Sequence, residues 1–143
     1  MEIRKATSND IPELASLMEQ LGYPTSVEQM RIRFSNIESN PSYHTLVAEY
    51  DGKVVGMIGL CTGVFYELDG SYVRIVALVV DSNYRSKGIG RKLIEEAESW
   101  AKRQGAISIG VNSGNRTERL TAHQFYINMG YEQKSIGFAK KLI

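Results

Sequence analysis

The stretch that most constrains this chain runs from Ile75 to Gly90: Ile-Val-Ala-Leu-Val-Val-Asp-Ser-Asn-Tyr-Arg-Ser-Lys-Gly-Ile-Gly. Its apolar run reads as a strand, ends in a short polar turn, and opens through two glycines into a helical pattern. Ile89, Leu93, Ala97, Trp100 and Ala101 share one helix face, and Gly105 ends it. Ala106 to Val111 then reads as a buried strand. Strand, helix and strand in this order predict a parallel crossover over 72–111, and with it a sheet carrying helices.

The other elements follow from local signals. Ile3 to Ala6 reads as a first strand. Asp10-Ile11-Pro12-Glu13 has the form of a helix start, with an Asp cap and a first-turn Pro; Ile11, Leu14, Ala15, Met18 and Leu21 continue at helical spacing until Gly22. Ser26-Val27-Glu28-Gln29 repeats the capping pattern and opens a second helix with Met30, Phe34 and Ile37 on one side. Two strand-like runs, Tyr43 to Tyr50 and Lys53 to Leu60, flank Asp51-Gly52, the strongest short-range hairpin signal. Residues 61–71 read as a loop, Thr117 to Met129 as a helix, and Tyr131 to Leu142 as one or two last strands. The expectation is one domain over 1–143: a mixed α/β fold with a central sheet of six to seven strands and about four helices on both faces.

The glycine-rich loop carries the chemistry. The first turn of a helix leaves backbone N–H groups without partners, and the helix dipole adds positive character there. Glycines at 88 and 90 let the backbone approach an anion, and residues 85–92 hold four bases and no acid. No Gly-x-x-x-x-Gly-Lys-Ser/Thr string occurs, which excludes a P-loop. Gly88-Ile89-Gly90 is followed by Arg91, Lys92 and Leu93, so the third glycine of a dinucleotide fingerprint is missing. The loop by itself leaves two readings, a phosphate cradle and a plain strand-to-helix turn with a basic rim.

Composition narrows the partners. A formal net charge of +1 argues against a general nucleic-acid binder. No apolar run approaches the length of a membrane span, and Met-Glu-Ile-Arg-Lys is no secretory signal, so a cytoplasmic protein is the expectation. Cys61 is the single cysteine, which rules out an intrachain disulfide, and it and the two histidines have no metal-ligand spacing. No metal is expected.

Arg85-x-x-Gly88-x-Gly90 after a strand resembles the acyl-coenzyme A loop of the GNAT family of N-acetyltransferases. The likeness extends downstream: Ile109-Gly110-Val111-Asn112-Ser113-Gly114-Asn115 is similar to the family's next strand and Asn, and Phe125-Tyr126 with Gly130-Tyr131 to its aromatic pair and closing Gly-Phe. Tyr131 is a conservative departure. The opening Ile3-Arg4-Lys5-Ala6-Thr7-x-x-Asp10-Ile11-Pro12 fits the family's start, so the resemblance covers nearly the whole chain.

The resemblance implies acetyl transfer from acetyl-CoA to a primary amine of a small molecule or peptide. The strand 74–80 would splay from 106–111, with the pantetheine arm in the gap, bonded to backbone of Leu78 and Val80 and running past Val79. The pyrophosphate would sit on Arg85, Ser86, Lys87, Gly88, Ile89, Gly90 and Arg91, and Asn115 would contact the arm. An N–H such as that of Val80 can stabilise the oxyanion. Tyr126 would hold its hydroxyl near the sulfur, where a phenol with a pKa of about 10 can protonate the leaving thiolate. Tyr126 also shares a helix face with Phe125 and Met129, the pattern of a core residue.

The general base is not evident. Some family members use a Glu on the strand before the loop, but residues 71–80 hold no carboxylate. Glu67 and Asp69 are the nearest preceding acids, and Tyr72 or Arg74 could organise a water path. Phe65, Tyr66 and Tyr72 are candidates for lining the acceptor pocket. A non-catalytic acyl-CoA-binding sensor is the competing reading. Family members are often dimers, and a homodimer through the C-terminal strand is a further expectation.

Overall fold

The computed structural model describes residues 1–112 and 120–143, for Leu120 the backbone alone. In chain order the elements are β1 (Glu2–Lys5), α1 (Ile11–Leu21), α2 (Val27–Glu38), β2 (Tyr43–Tyr50), β3 (Lys53–Val64), β4 (Ser71–Val80), α3 (Ile89–Arg103), β5 (Ser108–Val111) and α4 (Leu120–Asn128). Short 3-10 turns stand at Ser8–Asp10 and Ser82–Tyr84.

The sheet has five strands in the order β1-β2-β3-β4-β5. Neighbours are antiparallel from β1 to β4, and β5 runs parallel to β4, as the crossover requires. At the β2–β3 turn Asp51 and Gly52 take φ of 52° and 75°, the left-handed pair that a two-residue hairpin needs. Against the expected six to seven strands, the sheet among the described residues has five. Residues 131–143 form no strand; beyond the half-buried Tyr131 their β-prone side chains lie exposed, Phe138 at 94%, and strand preference is expressed only against a neighbouring ladder. β3 runs on to Val64, which shortens the expected 61–71 loop.

Two apolar layers hold the helices to the sheet. Leu14, Leu17, Met30 and Phe34 pack on Val47, Val54, Met57 and Val79 beneath α1 and α2. On the other face Ile89, Leu93, Ile94 and Ala97 of α3 pack on Ala48, Ile58, Leu60, Val73 and Ile75, and Phe125, Tyr126 and Met129 of α4 join that layer. Gly56 sets the approach of α3: a Cβ there would come within 3.2 Å of Ile89 Cγ2 and 3.3 Å of Leu93 Cδ1. Removing that Cβ lets the first turns of α3 settle onto the sheet, which fixes where its N-terminus points.

The two helix-start signals have different outcomes. Ser26 and Gln29 form the expected reciprocal cap, each bond 3.1 Å. Asp10 does not cap α1. Its carboxylate accepts two bonds of 2.9 Å from Arg4 and one of 2.8 Å from the Thr7 N–H. The Arg4 bond, against the cost of burial, holds the carboxyl below the usual range. A charged partner on β1 outcompetes the local helix end. Among the described residues no helix is long and apolar enough to cross a membrane.

Candidate active site

β4 changes its face at one residue. It pairs with β5 only from Tyr72 to Ile75, because β5 ends at Val111 opposite Ile75. There β4 bulges: Leu60 pairs with Ile75 and Gly59 with Ala77, leaving Val76 unmatched on β3. The extra residue reverses the alternation of side chains. Before it Val73 and Ile75 enter the α3 layer; after it Leu78 and Val80 do, while Ala77 and Val79 turn to the α1–α2 layer.

The backbone follows the same parity. The Asp81 N–H donates to the Val55 carbonyl at 2.8 Å. Antiparallel alternation then aims the polar groups of Val79 at β3 and those of Leu78 and Val80 into the space beyond the end of β5. Arg85 Nε donates to the Val80 carbonyl at 3.3 Å. No strand among the described residues pairs with β4 along this edge, which offers an extended ligand the bonding pattern of an added strand.

The loop leads from this edge to α3. The Asp81 carboxylate accepts from the Asn83 N–H at 2.9 Å, and Gln20 Oε1 from the Ser82 N–H at 2.8 Å, tying the turn to α1. Ser86 and Gly88 then take φ of 65° and 78°. Gly88 caps α3 without any side-chain bond, and no acid stands in the first turn, so the amides there lack a side-chain partner. A Cβ at Gly88 would meet nothing within 4 Å. Gly90 differs: its Cβ would lie 3.5 Å from Phe125 Cζ and 3.8 Å from Val80 Cγ2, so its bare side faces α4. Arg91 and Lys92 are exposed, and Lys87 Nζ lies 5.9 Å from the centre of the Tyr50 ring. The arrangement fits a phosphate chain on the helix end joined to an extended arm along β4.

α4 closes the site from the side of Gly90 and Val80 through Phe125. Tyr126 is half-buried beside it, its ring 5.5 Å from that of Phe125 and 6.0 Å from that of Tyr131. Tyr131 donates to Glu98 Oε2 at 2.9 Å; burial, and then that bond, raise its pKa above the ordinary phenol value. Tyr131 is thereby a fastener between the end of α4 and α3. Asn115 lies outside the described residues.

Other sequence candidates separate by position. Glu67 and Asp69 sit in the exposed turn before β4, and the strand rises about 3.3 Å per residue, so Leu78 lies some 20 Å or more away. They precede the end of β4 opposite to Leu78 and Val80. Tyr66 is fully exposed in the same turn, whereas Phe65 and Tyr72 bring their rings within 5.1 Å. His44 stacks on Trp100, centroids 4.5 Å apart and planes parallel to 1°, between β2 and α3. The bulge at Val76 was not legible in the sequence, since an unbroken apolar run from Ile75 to Val80 hides a change of parity.

Known proteins share this architecture. The chain matches the acetyltransferase (GNAT) family over residues 11–139. It is 31% identical to an aminoalkylphosphonate N-acetyltransferase of Salmonella typhimurium over 99% of its length and 91% of the relative's. A thialysine N-epsilon-acetyltransferase of Mus musculus is 29% identical over 72% of this chain and 68% of the relative. The crystal structure of a GNAT family acetyltransferase of Staphylococcus aureus superposes with a TM-score of 0.85 at 32% identity, covering 99% of this chain and 98% of that one. A strand bulged where its neighbour ends, an uncapped helix beyond it, and likeness along almost all the chain together mean that this protein belongs to the acetyltransferase (GNAT) family and is an N-acetyltransferase.

Proposed function

We propose that the chain transfers the acetyl group of acetyl-CoA directly to the primary amine of a small acceptor that also carries an anionic group, within a ternary complex. The observation that carries the donor half is the continuity of one polar edge: the outward backbone groups of Leu78 and Val80 run into the uncapped amides of α3. In this reading Arg85, Ser86, Lys87, Gly88, Ile89, Gly90 and Arg91 hold the pyrophosphate, and Leu78 and Val80 hold the pantetheine arm. Val79 links them with its own bonds turned to β3. Acetyl-CoA supplies the activated acyl group. The outward N–H nearer the reactive end of the arm, that of Leu78 rather than the expected Val80, which lies on the pyrophosphate side, donates to the negative charge that develops on the acyl oxygen, and the Tyr126 hydroxyl donates to the departing thiolate. Asn115 remains a candidate contact to the arm.

The acceptor class rests on the relative that spans nearly the whole chain, whose name gives it an aminoalkylphosphonate substrate. A homodimer is also proposed, supported by the exposed Ile136, Phe138, Leu142 and Ile143 near the C-terminus, and so is a cytoplasmic location. Light scattering on the purified chain reads the first directly: a mass of one chain would reject it. The function is tested by incubating the protein with acetyl-CoA and a panel of phosphonate, carboxylate, neutral and cationic amines while detecting free thiol. Release with the acidic amines supports the reading. Release confined to cationic or neutral amines rejects the acceptor class, and CoA binding without release from any amine returns the sensor alternative.

A further inference from the structure

Among the described residues the two faces of β4 before the open edge differ in cover. Beneath α3 the strand is sealed, with Val73 fully buried and Ile75 3% exposed against Leu93 and Ala97. On the opposite face β4 presents Tyr72, Arg74 and Val76, of which Arg74 is exposed and Val76 is 43% exposed. Arg74 pairs with Gly110 on one side and with Cys61 on the other, and glycines at 59 and 63 leave the neighbouring positions on β3 without bulk. Tyr72 covers Gly63, where an added Cβ would fall 2.5 Å from its ring and hydroxyl. Among the described residues the Arg74 guanidinium makes no hydrogen bond and no ion pair.

Arg74 also stands at a defined distance from the chemistry. The gap opens after the Ile75–Val111 pair, one residue on, and an arm bonded to Val80 and Leu78 brings its reactive end toward Val76. Arg74 and Val76 project on the same face about 7 Å apart, the span of two strand residues. A small molecule whose amine reaches the closed end of the gap would hold a group a few bonds away within reach of the guanidinium. A planar, permanently charged fork with no protein carboxylate on it matches a phosphonate or carboxylate and repels a second cation.

Resting on the acetyl-transfer reading with an acidic acceptor, we infer that Arg74 is the residue that selects the acceptor, by binding its anionic group on the uncovered face of β4. The test compares 2-aminoethylphosphonate with ethylamine, at saturating acetyl-CoA, in the wild-type protein, Arg74→Gln and Arg74→Lys. Wild type is expected to favour the phosphonate. Arg74→Gln should lower the ratio of kcat/KM for the phosphonate to that for ethylamine about 10- to 100-fold, mainly through the KM of the phosphonate, and Arg74→Lys should recover part of the loss. Equal falls for both amines, or a phosphonate preference retained in Arg74→Gln, would overturn the role of Arg74 while leaving the acceptor class standing. A wild-type protein that turns over ethylamine but not the phosphonate would overturn the acceptor class first, and the inference with it.

Discussion

The two loop glycines are chemically identical and yet should respond oppositely to the same methyl group. Gly88 sits at φ 78° with open space around it, so Gly88→Ala meets no neighbour, only the left-handed backbone. That conformation costs an L-residue roughly 1–2 kcal/mol. If the loop keeps its shape, the cost appears as lost stability of about that size. If the loop relaxes toward negative φ, the amides of α3 turn away and binding must restore them, so the same energy appears as a fall in CoA affinity of about 5- to 30-fold. Gly90 is inside α3, has no strained backbone, and would place its Cβ at ordinary contact distance from Phe125, 3.5 Å. Replacing a helical glycine by alanine stabilises by roughly 0.5–1 kcal/mol, and the methyl points at α4 rather than out of the helix end. Gly90→Ala should therefore unfold at higher urea and bind CoA within about threefold of wild type. Urea denaturation and calorimetric titration of CoA read both terms for both variants. If Gly88→Ala changes neither quantity, or Gly90→Ala weakens CoA as much as Gly88→Ala does, then α3's left-handed cap is not what presents its amides to the ligand.

Two other expectations follow from the site and its surroundings. Tyr126→Phe should slow thiol release by about 100-fold with CoA affinity within threefold, since loss of a positioned acid acts on the chemical step; parallel losses in rate and affinity would assign the ring to packing with Phe125 and Tyr131. His44 is held below its ordinary pKa of 6.5, first by burial and then by the charges of Lys5 and Arg103. The unfolded chain therefore takes up a proton that the folded one refuses as pH falls below about 6.5, and stability declines until the folded pKa is reached. Thermal melts from pH 7.5 to 5 should fall more steeply for wild type than for His44→Phe, which keeps a ring on Trp100; parallel curves would show that His44 does not titrate differently on folding.

Much of this molecule is written locally. Asp51-Gly52 requires left-handed φ values that only a tight hairpin uses, the Ser26–Gln29 cap closes on itself within four residues, and the 3.6-residue period of Ile89, Leu93 and Ala97 marks the face of α3 before any partner is known. The loop at 85–90 is of the same kind, since its function depends on a backbone that glycine permits and on a helix start that periodicity reveals. What the tertiary structure decided depends on two distant segments meeting. Asp10 looks like a cap until Arg4 of the neighbouring strand takes it. Strand-prone residues at 131–143 find no ladder, and Glu67 and Asp69, near β4 in sequence, stand at the wrong end of it. Above all, the bulge at Val76 arises because β3 and β4 pair with one residue to spare, and that single residue turns Leu78 and Val80 outward beyond the end of β5 while leaving Arg74 on the open face. Periods and turn residues are properties of a few consecutive dihedral angles, whereas register belongs to a pair of strands, and register is what makes an edge of this sheet into a site.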